Sequence, residues 1–388
     1  LQSGSRKPFG ACSFGMTLTE YPPYTATSRR LKLEGFIPMS EGSFSESKIL
    51  IVGGAGFVGS NLVLKLLECT PREILIVDNL LSSESSNVPE SPKVRFIQGS
   101  ITDDAILAAL PDDLDYAFHL ACYHGNQSSI ADPLADHDNN TLTSLKLFER
   151  LKDVKSLRKV VYAAAGCAVA EKTYAEATAT PEDAPVSLFH DSPYSISKLV
   201  GEMYANYYFT RYKLPVVKAR FQNVYGPREI LGAGQWRGTS HTVWRNVTPT
   251  FIWKSLNKEA LTLDNEGRSS RDFIFVGDMV KGLIRCALAG EPGGVYNLAS
   301  GKETTIAKLA QMVNEATGNH TPSEMRPARD WDRSGKRFGC TRKSERELGF
   351  VAKTNLTEGI KQTVDWTIQN TSLIELAIAK HDPKMTAT

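Results

Sequence analysis

A short apolar run, Ile49-Leu50-Ile51-Val52, ends abruptly at Gly53-Gly54-Ala55-Gly56-Phe57-Val58-Gly59, and residues at helical spacing follow at once. Four consecutive aliphatic residues without alternation suit a strand buried on both faces, as in a parallel sheet covered by helices. The glycines satisfy both G-x-x-G-x-x-G and the overlapping G-x-G-x-x-G spacing. In such a loop one glycine permits the tight turn and another lets backbone N–H groups approach a pyrophosphate. Gly59 lets the next helix lie close on the sheet. The positive end of that helix then faces the phosphates. Gly53, Gly56, Phe57, Val58 and Gly59 are the first candidates for holding a dinucleotide.

The same cadence recurs along the chain. Ile74 to Val77, Val94 to Ile97, Tyr116 to Leu120, Lys159 to Ala163 and Leu214 to Arg220 read as further strands, separated by polar or helical stretches. Strands alternating with helices predict an α/β fold with a doubly wound, Rossmann-like parallel sheet. The second strand ends at Asp78, about 20 residues past the loop, where a carboxylate accepts hydrogen bonds from adenosine ribose hydroxyls. That charge repels a 2′-phosphate, and Asn79-Leu80-Leu81 offers no cation to hold one, so NAD is preferred over NADP. Position along the sheet assigns Asp78 and Asn79 to the ribose and Ser100 and Ile101 to the adenine. Leu120 and Ala121, followed by Cys122, fall near the inner phosphates and nicotinamide. Beyond Gly226 the order loosens into a Gly/Trp/Arg-rich insertion, and strand-like spacing returns at 270–276 and 295–298. The expected division is an N-terminal extension or linker over 1–46 and a cofactor-binding domain over 47–225, joined by 271–300. A smaller, C-terminal substrate-binding lobe is expected from 226–270 and 301–388.

Composition narrows the partners. With 45 basic against 43 acidic residues and no long basic run, neither nucleic acid nor a membrane surface is an expected partner. The six cysteines are scattered without a C-x-x-C, so no metal site or disulfide framework is expected and a cytoplasmic location fits best. The Asn-x-Thr sequence at Asn246 is then a chance match to a glycosylation site.

Asp191-Ser192-Pro193-Tyr194-Ser195-Ile196-Ser197-Lys198 opens a long helix, with Pro193 acceptable in its first turn. The i, i+4 spacing puts Tyr194 and Lys198 on one face. A phenol titrates near pH 10 in water, so Tyr194 acts as a base at neutral pH only if a neighbouring ammonium stabilises its phenolate. Lys198 can supply that charge.

With these motifs the chain resembles the extended short-chain dehydrogenase/reductases, specifically the nucleotide-sugar epimerases and dehydratases, over roughly 48–370. His119-Leu120-Ala121, Asn140-Thr141, Arg220 to Arg228 and Arg271 to Val276 carry the match as well. The resemblance implies Tyr194 as acid/base, Lys198 binding the nicotinamide ribose, and a nucleotide-diphosphate sugar as substrate. It also implies a homodimer built through two helices per subunit. The substrate candidates are His124, Asn223, Arg271 and Arg333, with Arg220 beside them, because guanidinium forks bind phosphate oxygens in pairs.

One member of the family's set is missing. Ala165 falls where a Ser or Thr hydroxyl is expected at the end of the fifth strand. Three readings remain: an engineered Ser-to-Ala change, a natural relative relying on Tyr194 and other donors, or a catalytically silent binder. Gly166-Cys167 cannot supply the Asp-Glu pair of a sugar 4,6-dehydratase. Cys167 instead stands where GDP-mannose 3,5-epimerases, to which Asn139-Asn140-Thr141 is also similar, use a cysteine as acid/base; a small buried filler is the other reading. The expected activity is NAD-dependent 4-epimerisation of a nucleotide sugar by transient oxidation at C4. The alternatives are a 3,5-epimerase or dehydratase-type enzyme using Cys167, or an impaired or silent relative.

Overall fold

The computed structural model describes residues 44–386 except 171, 172, 331, 333 and 334. The segment before residue 44, and with it the expectation of an extension or linker there, lies outside the described residues.

Seven strands form one sheet: β1 (Lys48–Val52), β2 (Glu73–Asp78), β3 (Val94–Gln98), β4 (Tyr116–His119), β5 (Lys159–Ala165), β6 (Val216–Phe221) and β7 (Val295–Leu298). Their order is β7-β6-β5-β4-β1-β2-β3, with every neighbouring pair parallel. The uninterrupted apolar runs now have a cause. Ile49, Ile51, Ile74 and Ile76 point to one face, where they pack with Leu62 and Leu66 of α1 (Phe57–Leu67) and with Met279 and Leu283. Leu50, Val52, Leu75 and Val77 point to the other, against Leu147, Phe148 and Leu151. Both faces are covered, so neither set of side chains can be polar.

β1 lies between β2 and β4, so the order of building reverses there and a crevice opens at the carboxyl ends of the two strands. A second helix, α2 (Pro193–Tyr212), starts at Ser192, whose Oγ accepts from the Ser195 N–H at 3.3 Å. It lies close on β5 because Gly201 faces the Tyr162 ring; a Cβ there would sit 1.9 Å from the Tyr162 hydroxyl oxygen. That close approach brings Tyr194 and Lys198 to the end of β5.

The two late strands part company. Val295–Leu298 enters the large sheet as β7, whereas Ser270–Phe275 pairs with Asn223–Tyr225 and Glu303–Thr305 in a separate three-stranded sheet. Asp272 ties the small sheet to later turns of the chain. Its carboxylate accepts from the Ser300 N–H at 2.8 Å, the Gly301 N–H at 3.0 Å and the Gly339 N–H at 3.2 Å. A third helix, α3 (Val247–Leu256), packs beside this small sheet through Phe251 and Ile252, with Leu309 and Val313 on the neighbouring helix. Among the described residues no helix is long and apolar enough to cross a membrane.

Candidate active site

A cleft of about 930 Å³ opens above the carboxyl ends of the large sheet and runs to the small one. Every site residue expected from the sequence borders it except Arg220, treated below, and Arg333, which lies outside the described residues.

The glycine loop forms one end. Gly53 has φ +88°, and a Cβ there would meet the Ala121 nitrogen at 2.4 Å; one on Gly59 would meet the Gly53 carbonyl oxygen at 2.1 Å. These two glycines let the loop fold back on β4 and let α1 begin directly beneath it. Gly56 differs, since only the Gly53 oxygen, at 3.2 Å, lies near its missing Cβ, and the loop stays open on its outer side. Asp78 anchors the arrangement: Oδ2 accepts from the Ala55 N–H at 3.0 Å, and Oδ1 from the Leu80 N–H and the Ser83 hydroxyl, each at 2.9 Å. Burial pushes its carboxyl above the usual carboxylate range, and these hydrogen bonds pull against that shift. Phe57, Val58, Asn79, Ser100, Ile101 and Leu120 border the same end. A glycine loop open on its outer side, a helix N-terminus and the Asp78 carboxylate bordering the cleft fit a dinucleotide.

The middle of the cleft holds the reactive groups. The Lys198 ammonium donates to the Ala163 carbonyl oxygen at 3.1 Å and stands 6.0 Å from the centre of the Tyr194 ring. The Tyr194 hydroxyl shares a hydrogen bond with the Cys122 sulfur. Burial, followed by the neighbouring sulfurs of Cys122 and Cys167, pushes the Tyr194 phenol well above its ordinary value. Burial also raises the Cys122 thiol, against the pull of Lys198. His124 packs edge-on against Tyr194 with ring centres 5.8 Å apart. Burial, reinforced by the charges of Arg245, Arg237 and Lys198, holds the imidazole down at about 3, so it is neutral at pH 7. Asn140 fixes the loop that carries His124: its Oδ1 accepts from the Tyr123 N–H at 2.8 Å, and its Nδ2 donates to Asp136 at 2.8 Å and to Ser197 at 3.3 Å. Ala165, 4% exposed, presents only a methyl group to the cleft.

The sequence matches the NAD dependent epimerase/dehydratase family over residues 49–299. The chain belongs to that family. It is 30% identical to the UDP-glucose 4-epimerase of Mycolicibacterium smegmatis over 325 residues, covering 82% of this chain and 98% of the relative. Among solved structures it is similar to the enzyme WbmF of Bordetella bronchiseptica in complex with NAD+, at 55% identity and a TM-score of 0.80 over 89% of this chain and 99% of that one. A further structure of WbmF holds NAD+ and UDP. UDP-glucose 4-epimerase of Thermotoga maritima with UDP-glucose is 28% identical, with a TM-score of 0.75 over 84% of this chain and 99% of that one.

This member of the NAD-dependent epimerase/dehydratase family places the remaining candidates unevenly. Asn223 and Arg271 border the cleft. Arg271 donates to the Ser270 and Gly335 carbonyl oxygens, each at 2.7 Å, and burial followed by Arg337 pulls its guanidinium down to about 9. Arg220 does not reach the cleft, against expectation. Its Nε and Nη2 each donate to Glu202 at 2.9 Å and its Nη1 to the Glu182 carbonyl oxygen at 2.8 Å, with both charged side chains 6% exposed. A guanidinium saturated in this way has no fork left for phosphate. Glu202→Ala is accordingly expected to destabilise the fold by about 3–5 kcal/mol, because it strands a buried charge; urea denaturation measures this.

Several cleft residues were not anticipated. Glu229, Asn246 and Thr250 border it beside Trp244 and Arg245, and only the glycosylation-like sequence had drawn notice to Asn246. Trp236 lies elsewhere, its ring centre 5.8 Å from that of His381.

Proposed function

We propose that this family member epimerises a UDP-sugar at C4 by transient oxidation. The observation that carries the reading is the Lys198 ammonium 6.0 Å from the centre of the Tyr194 ring in a cleft that runs to the glycine loop. Similarity to two UDP-glucose 4-epimerases and to a structure holding NAD+ and UDP supports it. On this reading residues 47–225 with 271–300 hold the cofactor, and the rest of the described chain grips the nucleotide. Gly53 to Gly59, Asp78 and Asn79 bind NAD, which when bound accepts the hydride and returns it to the opposite face of the sugar. Tyr194 removes the proton from the 4-hydroxyl and gives it back. Burial keeps its phenol protonated, and the Lys198 charge favours the phenolate it must become. Asn223 and Arg271 hold the diphosphate. Exposed Ile196, Met203 and Tyr207 on α2 suit the homodimer.

Ala165 favours a second reading. Without a hydroxyl at the end of β5 the sugar oxygen loses one donor, while Cys167, which also borders the cleft, would on this reading exchange a carbon-bound proton at C3 or C5. One experiment separates the two: incubation with UDP-sugars in deuterated water, followed by NMR of the sugar protons. Inversion at C4 without deuterium supports the first reading. Deuterium at C3 or C5 that disappears in Cys167→Ser supports the second. Ala165→Ser is expected to raise the rate of the C4 reaction about tenfold, the worth of roughly one hydrogen bond. An absence of turnover by both the protein and Ala165→Ser, each with NAD bound, would sink the enzyme reading.

A further inference from the structure

Buried polar atoms in folded proteins almost always find partners, and those that do not often await a ligand. Glu229 is such a group. Its Oε1 accepts from the Asn246 carboxamide, but its Oε2 is shut off from solvent and has no partner among the described residues, although the residue borders the cleft. Asn246 is unusual in its turn. It occupies the position before α3 where an Asn side chain ordinarily accepts from the helix N–H groups, yet it makes no such cap and donates to Glu229 instead. One turn further along α3, the Thr250 hydroxyl is also buried, without a partner among the described residues, and on the cleft. Three polar side chains on one wall have therefore set aside their local hydrogen bonds.

Their place argues for the sugar. Glu229 is tied to α3, whose Phe251 and Lys254 also border the cleft. Arg245, next to Asn246, exerts its charge on both Glu229 and His124, and His124 packs on Tyr194. The wall is thus linked through Arg245 and His124 to Tyr194. We propose that Glu229 is a sugar-binding residue whose protonated carboxyl donates from Oε2 to an oxygen of the hexose, with Asn246 and Thr250 beside it. This rests on the UDP-sugar reading given above.

The protonation state follows from the surroundings. Burial lifts the Glu229 carboxyl to about 7, against the opposing effects of the Asn246 hydrogen bond and the Arg245 charge. Both hydrogen-bonded guanidinium nitrogens of Arg245 are committed elsewhere, Nη1 to the Ser82 carbonyl oxygen at 3.1 Å and Nη2 to that of Ala233 at 2.8 Å. The other charges nearby are Arg228 on the same segment and, beyond Arg245, Arg237 and Glu84, the latter paired with Lys380. A neutral sugar closing over the wall removes further water and favours the uncharged acid. Donation is then complete below this value and lost as pH rises through it.

Calorimetry on the NAD-saturated protein tests this, with UDP, UDP-glucose and UDP-N-acetylglucosamine as probes at about pH 6 and about pH 8.5, on either side of the carboxyl's value. For the tighter of the two sugars, affinity relative to UDP is expected to fall about tenfold between those pH values, the worth of one hydrogen bond. Glu229→Gln keeps an N–H donor in place and should bind the sugar nucleotide equally at both. Glu229→Ala should lose about tenfold at low pH and leave UDP and NAD affinity unchanged. The proposal is overturned if Glu229→Ala binds the sugar nucleotides as tightly as the parent protein, or if UDP or NAD affinity falls equally. It is also overturned if Glu229→Gln retains the parent's pH dependence. Failure of the parent protein to bind any of the three probes would remove the UDP-sugar reading itself, and this proposal with it.

Discussion

Tyr194→Phe is expected to lower kcat for sugar epimerisation by roughly 10²–10⁴-fold, the usual contribution of a positioned acid/base group. Removing one oxygen leaves the ring that packs on His124, so the fold and the cleft should persist. UDP and NAD affinities, measured by calorimetry, should therefore stay near those of the parent protein, and the loss should fall on kcat rather than KM. The direction of the phenol's shift adds a pH signature. Because burial raises Tyr194, the phenolate form is scarce at neutral pH, and activity in the parent protein should climb as pH rises. That rising limb should vanish in the variant. A Tyr194→Phe protein that turns over C4 at the parent rate would remove the oxidation mechanism and leave the cysteine chemistry as the live alternative.

Gly53→Ala is expected to abolish detectable NAD binding. Two effects combine at this position. The φ of +88° is one that an L side chain adopts at a cost of roughly 1–2 kcal/mol. The added Cβ would also lie 2.4 Å from the Ala121 nitrogen and 2.7 Å from its Cα, which are backbone atoms of the next strand's end and cannot swing aside. Relief requires the loop to lift from β4, which breaks the hydrogen bond from the Gly53 N–H to the Val77 carbonyl oxygen at 2.8 Å. NAD affinity should drop at least about a hundredfold, the equivalent of roughly 3 kcal/mol in binding. Titration followed by tryptophan fluorescence measures the affinity, and urea denaturation reports the accompanying loss of stability. Parent-like affinity in this variant would mean that the cofactor does not lie on the loop.

Some of this molecule was legible without coordinates. The runs at 49–52 and 74–77 announced strands buried on both faces because burial on two sides permits only apolar residues. The glycine loop was readable because a turn, a close approach to a phosphate and a close helix contact each exclude a Cβ within seven contiguous positions. Tyr194 and Lys198 were readable as a pair because one turn of helix puts them on the same face. In each case the residues that matter are neighbours in the chain, and local geometry alone brings them together.

Other features depended on partners far away in sequence. Arg220 looked like a phosphate ligand, but Glu202, 18 residues earlier on α2, takes its Nε and Nη2 donors. The spacing at 270–276 announced a strand but not its sheet, and the donors to Asp272 come from 300, 301 and 339. Cys122 was a position beside the nicotinamide, and only the packing of α2 on β5 set its sulfur against the Tyr194 hydroxyl. Glu229 and Asn246, 17 residues apart across an irregular insertion, carried no pattern at all.

The sequence by itself determined the sheet, the glycine loop and the shared helix face of Tyr194 and Lys198, because each is specified by short-range spacing and by the exclusion of side chains. Tertiary structure alone decided which polar groups are already satisfied and which face the cleft unpaired. A hydrogen bond or ion pair depends on distance in space, and the chain's irregular returns past Gly226 leave no periodicity from which that distance can be read.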